Sequence, residues 1–143
     1  MRNLIYILIM LLFFSCKKDD AFSVAPTIEF KSISPYTVQE YIDDINITIS
    51  YTDGDGDLGE NNPDVYNLFV LDNRNGIEYK FRIPELSPNG NEIAIEGNFN
   101  ININGSGITN GSTSQQVNYD IYVTDRGSNS SNTVSTSYIT IEQ

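Results

Sequence analysis

Three aspartates alternate with glycines in the segment YTDGDGDLGENNPD, residues 51–64, and their spacing could do chemistry. Asp53, Asp55 and Asp57 place three carboxylates within five residues, where they repel one another unless a cation lies between them. Ca²⁺ takes six to eight oxygen ligands, and glycines let the backbone curl around the ion. The segment therefore predicts a calcium loop. The alternative is a flexible acidic turn, or a charged patch that aids solubility.

The spacing of these aspartates equals positions 1, 3 and 5 of an EF-hand loop. Gly59 then takes position 7, where the backbone carbonyl coordinates, and Asp64 takes position 12. Leu58 stands where an EF-hand requires glycine, and the flanking segments have the pattern of strands. We therefore expect an aspartate-rich calcium loop on a β scaffold. Its candidate ligands are Asp53, Asp55, Asp57, Gly59 and Asp64.

The composition excludes several other kinds of site. The 143 residues include 19 acidic and 8 basic side chains, for a net charge of −11, with one cysteine and no histidine. Without histidine there is no Ser-His or Cys-His pair, and one cysteine forms neither an internal disulfide nor a cysteine-rich metal cluster. The acidic balance argues against nucleic acid, which requires a basic face. We therefore expect a protein that is not an enzyme.

The residues that must position the aspartates alternate between apolar and polar side chains, which is typical of half-buried β-strands. Asn75-Gly76 predicts a hairpin with a type I′ turn. Seven or so strands at this spacing predict an all-β fold, a single antiparallel Ig-like β-sandwich over residues 26–143, with a jelly roll or small barrel as the alternative. The predicted strands are 27–33, 45–51, 65–71, 77–83, 93–103 (one long or two short, with Gly97 as a bulge), 117–123 and 134–141.

An Ig-like sandwich would add one more ligand. In that topology the loop after the second strand and the final hairpin loop lie at the same end. Asp125 belongs to the final hairpin loop. We therefore expect Asp125 to approach the aspartate loop and to donate a carboxylate or a hydrogen bond, the alternative being an ordinary turn aspartate.

Residues 1–15 have the pattern of a lipoprotein signal peptide. The apolar run 4–14 would be about 16 Å long as a helix, which suits a signal peptide better than a transmembrane anchor across about 30 Å. The sequence LFFSC that ends at Cys16 resembles the lipobox of bacterial lipoproteins, with Phe13 where leucine is commoner. The resemblance implies a covalent lipid on Cys16 and a lipidated tether over residues 16–25.

The mature chain also resembles a group of small Bacteroidota surface lipoproteins that carry an Ig-like or cadherin-like β domain. The likeness rests on Cys16, on DGDGDLG at 53–59 and on VTDRGSN at 123–129. The charged residues KKDD at 17–20 are similar to tags that follow the lipid-bearing cysteine of surface-exposed lipoproteins, the alternative being a solvated spacer. The resemblance implies a lipid-anchored protein of the outer membrane that is exposed at the cell surface.

Together these features predict a surface lipoprotein whose calcium-stabilised β-sandwich is a structural or adhesive binding module. The expected partners are the membrane, through the lipid on Cys16, and a surface protein or a glycan. One alternative is a glycan-binding accessory module of a polysaccharide-uptake system. Its stacking face could come from the nine tyrosines, of which Tyr66 and Tyr122 are expected to be exposed. A carboxylate-dependent hydrolase is a further alternative.

Overall fold

The computed structural model describes residues 22–87 and 91–143, and these residues form ten β-strands and no helix. The predicted signal peptide over residues 1–15 and the predicted lipid site at Cys16 lie outside them. No segment of the described chain is a helix long and apolar enough to cross a membrane. The strands are β1 (Thr27–Ser34), β2 (Thr37–Gln39), β3 (Ile45–Asp53), β4 (Leu68–Asp72), β5 (Glu78–Phe81), β6 (Ile95–Ile103), β7 (Ser114–Val117), β8 (Tyr119–Val123), β9 (Val134–Ser135) and β10 (Ile139–Glu142).

The first sheet has the order β1-β3-β6, and both of its pairings are antiparallel. β3 is its central strand, because every second residue of β3 is buried and its backbone is paired on both sides. All nine residues of β3 pair with β6 in an uninterrupted register that joins Ile45 to Ile103 and Asp53 to Ile95.

The second layer has two groups of strands, β5-β4-β8-β9 and β2-β10-β7. Only Asn118 separates β7 from β8, and β9 and β10 pair with them in registers that differ by one residue. The chain therefore passes from one group of strands to the other twice, from β7 to β8 and from β9 to β10. β2 pairs with β10 in parallel, which is the one parallel pairing among the described residues.

Inward-facing apolar side chains from both layers form the core. Each such side chain contributes roughly 1.5–3 kcal/mol relative to an exposed one. Tyr119 is the largest side chain that is fully buried. The fully buried aliphatic side chains are Ile28, Val38, Ile45, Ile47, Ile49, Leu58, Val70, Ile103, Val117, Ile121, Val123, Ile139 and Ile141.

The all-β sandwich-like fold is confirmed, but there are ten strands where about seven are predicted. β2 is an addition, and the predicted strands 117–123 and 134–141 are each interrupted. Gly97 is not a bulge, since the register of β6 with β3 runs through it without a shift. A Cβ at this position would lie 2.7 Å from the Tyr51 hydroxyl oxygen, so the glycine makes room for the tyrosine. The predicted 75–76 hairpin exists, but Asp72 and Ile77 close a four-residue turn, of which only Gly76 has a positive φ.

Candidate metal centre

The periodicity of β3 itself buries the first aspartate of the loop. Side chains at alternate positions of β3, from Ile45 to Tyr51, point into the core, and Asp53 is the next residue in that phase. The Asp53 side chain is 0% exposed. Its Oδ2 accepts a hydrogen bond from the Leu58 backbone N–H at 2.8 Å, whereas no protein group donates to its Oδ1. A buried charge with an unpartnered oxygen is costly unless a cation approaches it.

Two loop glycines stand where other chain segments come too close for a side chain. A Cβ on Gly56 would collide with the Ile93 carbonyl oxygen, and a Cβ on Gly59 would collide with the Pro84 carbonyl oxygen. Both glycines also have positive φ angles, +72° and +98°, which L side chains rarely adopt. The connection between β5 and β6 therefore packs directly on the aspartate loop and holds its curl.

A third glycine joins the loop to the N-terminal segment. The Gly54 backbone N–H donates to the Ser23 carbonyl oxygen at 2.8 Å. A Cβ on Gly54 would collide with the Phe22 carbonyl oxygen. The segment that precedes β1 is thus docked on the backbone of the aspartate loop.

The hairpin loop after β8 supplies a further carboxylate. Asp125 is 9% exposed, and its Oδ1 and Oδ2 accept hydrogen bonds from the Asn129 backbone N–H at 2.7 Å and side-chain Nδ2 at 2.9 Å. The Asp125 N–H donates back to the Asn129 carbonyl oxygen at 3.0 Å. The Gly127 N–H donates to Asp57 Oδ2 at 2.8 Å, so the hairpin loop also holds an aspartate of the first loop.

The two loops bring three carboxylates together, and the predicted ligand Asp55 is not in this group, although its charge acts on both Asp53 and Asp57. One carboxylate oxygen from each of Asp53, Asp57 and Asp125 lies within 4.8 Å of the other two. Two ligands on opposite sides of a Ca²⁺ ion would be about 5 Å apart, because calcium–oxygen distances are about 2.4 Å. One oxygen each of Asp53, Asp55 and Asp57 is buried without a hydrogen-bond donor. The expected approach of Asp125 to the aspartate loop is confirmed.

The two remaining predicted ligands lie differently. Gly59 is buried at the loop, but its carbonyl oxygen already accepts a hydrogen bond from Arg126 Nη1 at 2.7 Å. Asp64, expected at position 12, is exposed and is not among the converging carboxylates, so the fold does not bring it to the other three. The chain leaves the site before reaching it, because the Glu60 N–H donates to the Ile83 carbonyl oxygen at 2.9 Å and an exposed turn follows.

The electrostatics of the site disfavour its own negative charge. Burial raises the pKa of Asp53 from an ordinary 3.8 to about 6, and the charges of Asp55, Asp57 and Asp125 add to this rise, whereas the Leu58 N–H opposes it. Burial also raises the pKa of Asp57, with the charges of Asp125 and Asp55 adding to the rise, whereas the Gly127 N–H and the Arg126 charge oppose it. Loss of water and mutual repulsion therefore act in the same direction on both carboxyls.

Local sequence pattern reveals the acids but not the groups that position them. The N–H groups of Leu58 and Gly127 orient Asp53 and Asp57, and Asn129 orients Asp125. These donors belong to the backbone or to a residue type that is common in turns, so their identity carries little signal. The aspartate-to-asparagine spacing of the 125–129 hairpin loop is the one feature that could have indicated such a clamp.

The tyrosines proposed for glycan stacking have separate environments. Tyr66 is 54% exposed, as expected. Tyr122 is half-buried instead, with its ring stacked on Phe69 at 4.8 Å between centroids and its hydroxyl donating to Glu78 Oε2 at 3.0 Å. The Tyr122 ring thus already has a stacking partner on β4.

Comparison with known proteins found no family model, no curated protein and no solved structure that matches this chain. The geometry of the two loops is therefore the basis for assigning a function.

Proposed function

We propose that this chain is a lipid-anchored outer-membrane protein whose surface-exposed β-sandwich is stabilised by calcium and serves as a structural or adhesive binding module. The observation that carries the calcium proposal is the fully buried Asp53, whose Oδ1 has no donor and which lies beside the carboxylates of Asp57 and Asp125. Such a group lowers the stability of the fold at neutral pH unless a positive charge lies beside it.

A second buried aspartate in the same fold shows what the site lacks. Asp72 is also 0% exposed, but Arg74 neutralises it through an ion pair of 2.7 Å between Nη2 and Oδ2. Among the described residues no ion pair includes any of the three converging aspartates or Asp55. The basic side chain nearest in sequence, Arg126, has a charge that acts on Asp57, but its Nη1 donates to the Gly59 carbonyl oxygen and lies 3.9 Å from Glu85 Oε1. We infer that the counter-ion of the cluster comes from solvent.

The donor set favours calcium over other cations. All the converging side chains offer carboxylate oxygens, the ligands of hard divalent cations, and the chain has no histidine to favour zinc or copper. Mg²⁺ retains several waters and demands a small octahedral site, whereas Ca²⁺ accepts many carboxylate oxygens in flexible geometry. Extracellular calcium modules bind with dissociation constants of about 10⁻⁴–10⁻³ M, which suits a protein exposed at the cell surface.

Calorimetry and thermal unfolding of the purified full chain test the calcium site. We expect Ca²⁺ to bind with a millimolar or lower dissociation constant and to raise the melting temperature at constant ionic strength, because the ion binds only the folded state. Asp55→Ala together with Asp57→Ala should abolish both effects. Asp64→Asn is the matched control and should retain them, since Asp64 is exposed and apart from the cluster. An unchanged melting temperature in calcium would refute the proposal.

The anchor and the location rest on the sequence of residues 1–20 and are tested separately. Mass spectrometry of the chain from bacterial membranes should find acyl groups on Cys16 and no residues before it, and Cys16→Ser should release the protein from the membrane. A protease added to intact cells should remove the domain if it is exposed. A protected domain would place it on the inner side of the outer membrane.

A further inference from the structure

β6 is an edge strand whose free side lacks the usual protection against pairing. Within the described residues β6 pairs only with β3, so its other side offers unpaired backbone N–H and C=O groups. The strand is nine residues long and its pairing with β3 is regular throughout. Its sequence IEGNFNINI contains one charge, at Glu96, and neither lysine, arginine nor proline.

The other outer strands of the two layers carry the protection that β6 lacks. β1 has an irregularity between Phe30 and Ser32 and an exposed ion pair of Glu29 with Lys31 at 2.7 Å. β5 has only four residues, two of which are charged. β2, β7 and β9 are three, four and two residues long. Bulges, charges and short length are the devices by which edge strands avoid partners, and β6 is the one outer strand among the described residues that is long, regular and nearly uncharged.

We propose that β6 of one copy pairs antiparallel with β6 of a second copy, across a two-fold axis at Phe99. This register sets Ile95 opposite Ile103, Asn98 opposite Asn100 and Glu96 opposite Asn102. The only charge of the strand therefore faces an amide and never a second acid. Such self-complementarity is what an isologous two-fold interface requires, and it matters in a chain with a net charge of −11.

The side chains of β6 fit this partner on both faces. The residues on the solvent side, Glu96, Asn98, Asn100 and Asn102, are exposed, and amides directly opposite one another can exchange hydrogen bonds. On the core side, Ile95 and Phe99 are half-buried and pack on the core without being covered. A paired copy would extend the three-stranded sheet to six strands and cover these two side chains.

A groove of about 350 Å³ runs beside the proposed interface. It is lined mainly by apolar groups of the β5 end of the second layer, including Phe81 and Ile83, and by Phe99 and Ile101 of β6. Of these four side chains Phe81 and Phe99 are half-buried at the groove, whereas Ile83 and Ile101 are buried. The position of the groove next to the free edge gives the inward side chains of a paired strand an apolar surface to contact.

Cysteine pairs at facing positions test the register in the full chain. Two differently tagged copies, one with Asn98→Cys and one with Asn100→Cys, are co-expressed and oxidised in membranes. Directly opposite Cβ atoms are about 4.5–5.5 Å apart, close to disulfide distance, whereas diagonal ones are about 7–8 Å apart. We expect at least tenfold more cross-linked dimer from the mixed pair than from either variant alone. The wild-type chain controls for cross-links through Cys16.

The outcomes separate the proposal from its alternatives. No cross-link above that of the wild type, or equal cross-linking of the mixed pair and the single variants, would overturn the pairing. A cross-link to a different protein would show that β6 receives another strand and would also overturn it. As a second measurement, Asn98→Lys with Asn100→Lys places like charges opposite one another. Sedimentation of this variant in detergent should give monomer, with an unchanged circular dichroism spectrum, under conditions where the wild type is a dimer.

Discussion

Replacement of Asp57 by asparagine should stabilise the metal-free protein and destabilise the calcium-bound protein. Asparagine retains an oxygen that can accept the Gly127 N–H, which Asp57 Oδ2 accepts at 2.8 Å, but it removes one negative charge. Without metal the removed charge is a repulsive one, so the variant should be more stable than the wild type. In calcium the same charge is a ligand, so the variant should be less stable than the wild type.

The magnitudes follow from the geometry of the cluster. An oxygen of Asp57 lies within 4.8 Å of one from Asp53 and one from Asp125. At this distance two unit charges repel by about 3 kcal/mol at an effective dielectric constant of about 20, and salt and partial exposure reduce this. We expect the metal-free variant to gain about 1–3 kcal/mol. Calcium at about 10 mM with a dissociation constant of about 10⁻⁴–10⁻³ M stabilises the wild type by about 1.4–2.7 kcal/mol.

Urea unfolding of the full chain in EDTA and in about 10 mM CaCl₂, at matched ionic strength, measures the gain without metal and the stabilisation by calcium. This calcium concentration is roughly 10 to 100 times the expected dissociation constant. The two unfolding curves of Asp57→Asn should lie closer together than those of the wild type. Asp64→Asn serves as the control and should change neither the stability in EDTA nor the stability gained from calcium, because its carboxylate is exposed and outside the cluster. If Asp57→Asn is less stable than the wild type in EDTA, repulsion of Asp57 by Asp53 and Asp125 does not limit stability and the reasoning fails.

Three further predictions concern single contacts. Burial raises the pKa of Asp53, so in EDTA the folded state binds more protons than the unfolded chain between pH 3.8 and about 6. The free energy of unfolding should therefore fall as the pH rises through this range, by about 1.4 kcal/mol per pH unit and up to about 3 kcal/mol in all. Urea midpoints at pH 4.5 and 7 (roughly either side of that pKa) check this, and a rise would contradict it. Gly54→Ala should cost about 1–3 kcal/mol in thermal unfolding and speed chymotrypsin cleavage after Phe22, whose carbonyl must move; unchanged cleavage would argue against docking. Arg74→Met should cost about 3–5 kcal/mol by leaving the Asp72 charge buried alone, and adding Asp72→Leu should restore much of it.

The fold and the convergence of the two loops are predictable because they follow from periodicity and topology. The alternation that buries Ile45, Ile47 and Ile49 also buries Asp53, so the inward direction of the first carboxylate is already present in the sequence. The meeting of Asp125 with the aspartate loop requires only that the second and last loops of a sandwich share an end. Both inferences depend on the order of strands and not on details of packing.

The errors arise where long-range backbone contacts redirect the chain. The EF-hand spacing places Asp64 at the site only if the loop continues around the ion after Gly59. Here the Pro84 carbonyl approaches Gly59, and the Glu60 N–H pairs with Ile83, so the chain turns away. The interruption of the predicted strand 117–123 at Asn118 is likewise a feature of its pairing with β9 and β10, which alternation alone does not contain.

The position of the carboxylates determines what a bound cation would hold together. Asp53 ends β3 in the first sheet, whereas Asp125 follows β8 in the second layer, more than seventy residues along the chain. A cation that both side chains bind would therefore join the two layers at the end of the sandwich where the N-terminal segment docks through Gly54 and Ser23. A chain with one cysteine cannot join its layers by an internal disulfide, so a metal ion is the cross-link its composition allows. On this reasoning calcium should protect the β3–β4 and β8–β9 loops from hydrogen exchange together, and protection of one loop alone would contradict a bridging ion.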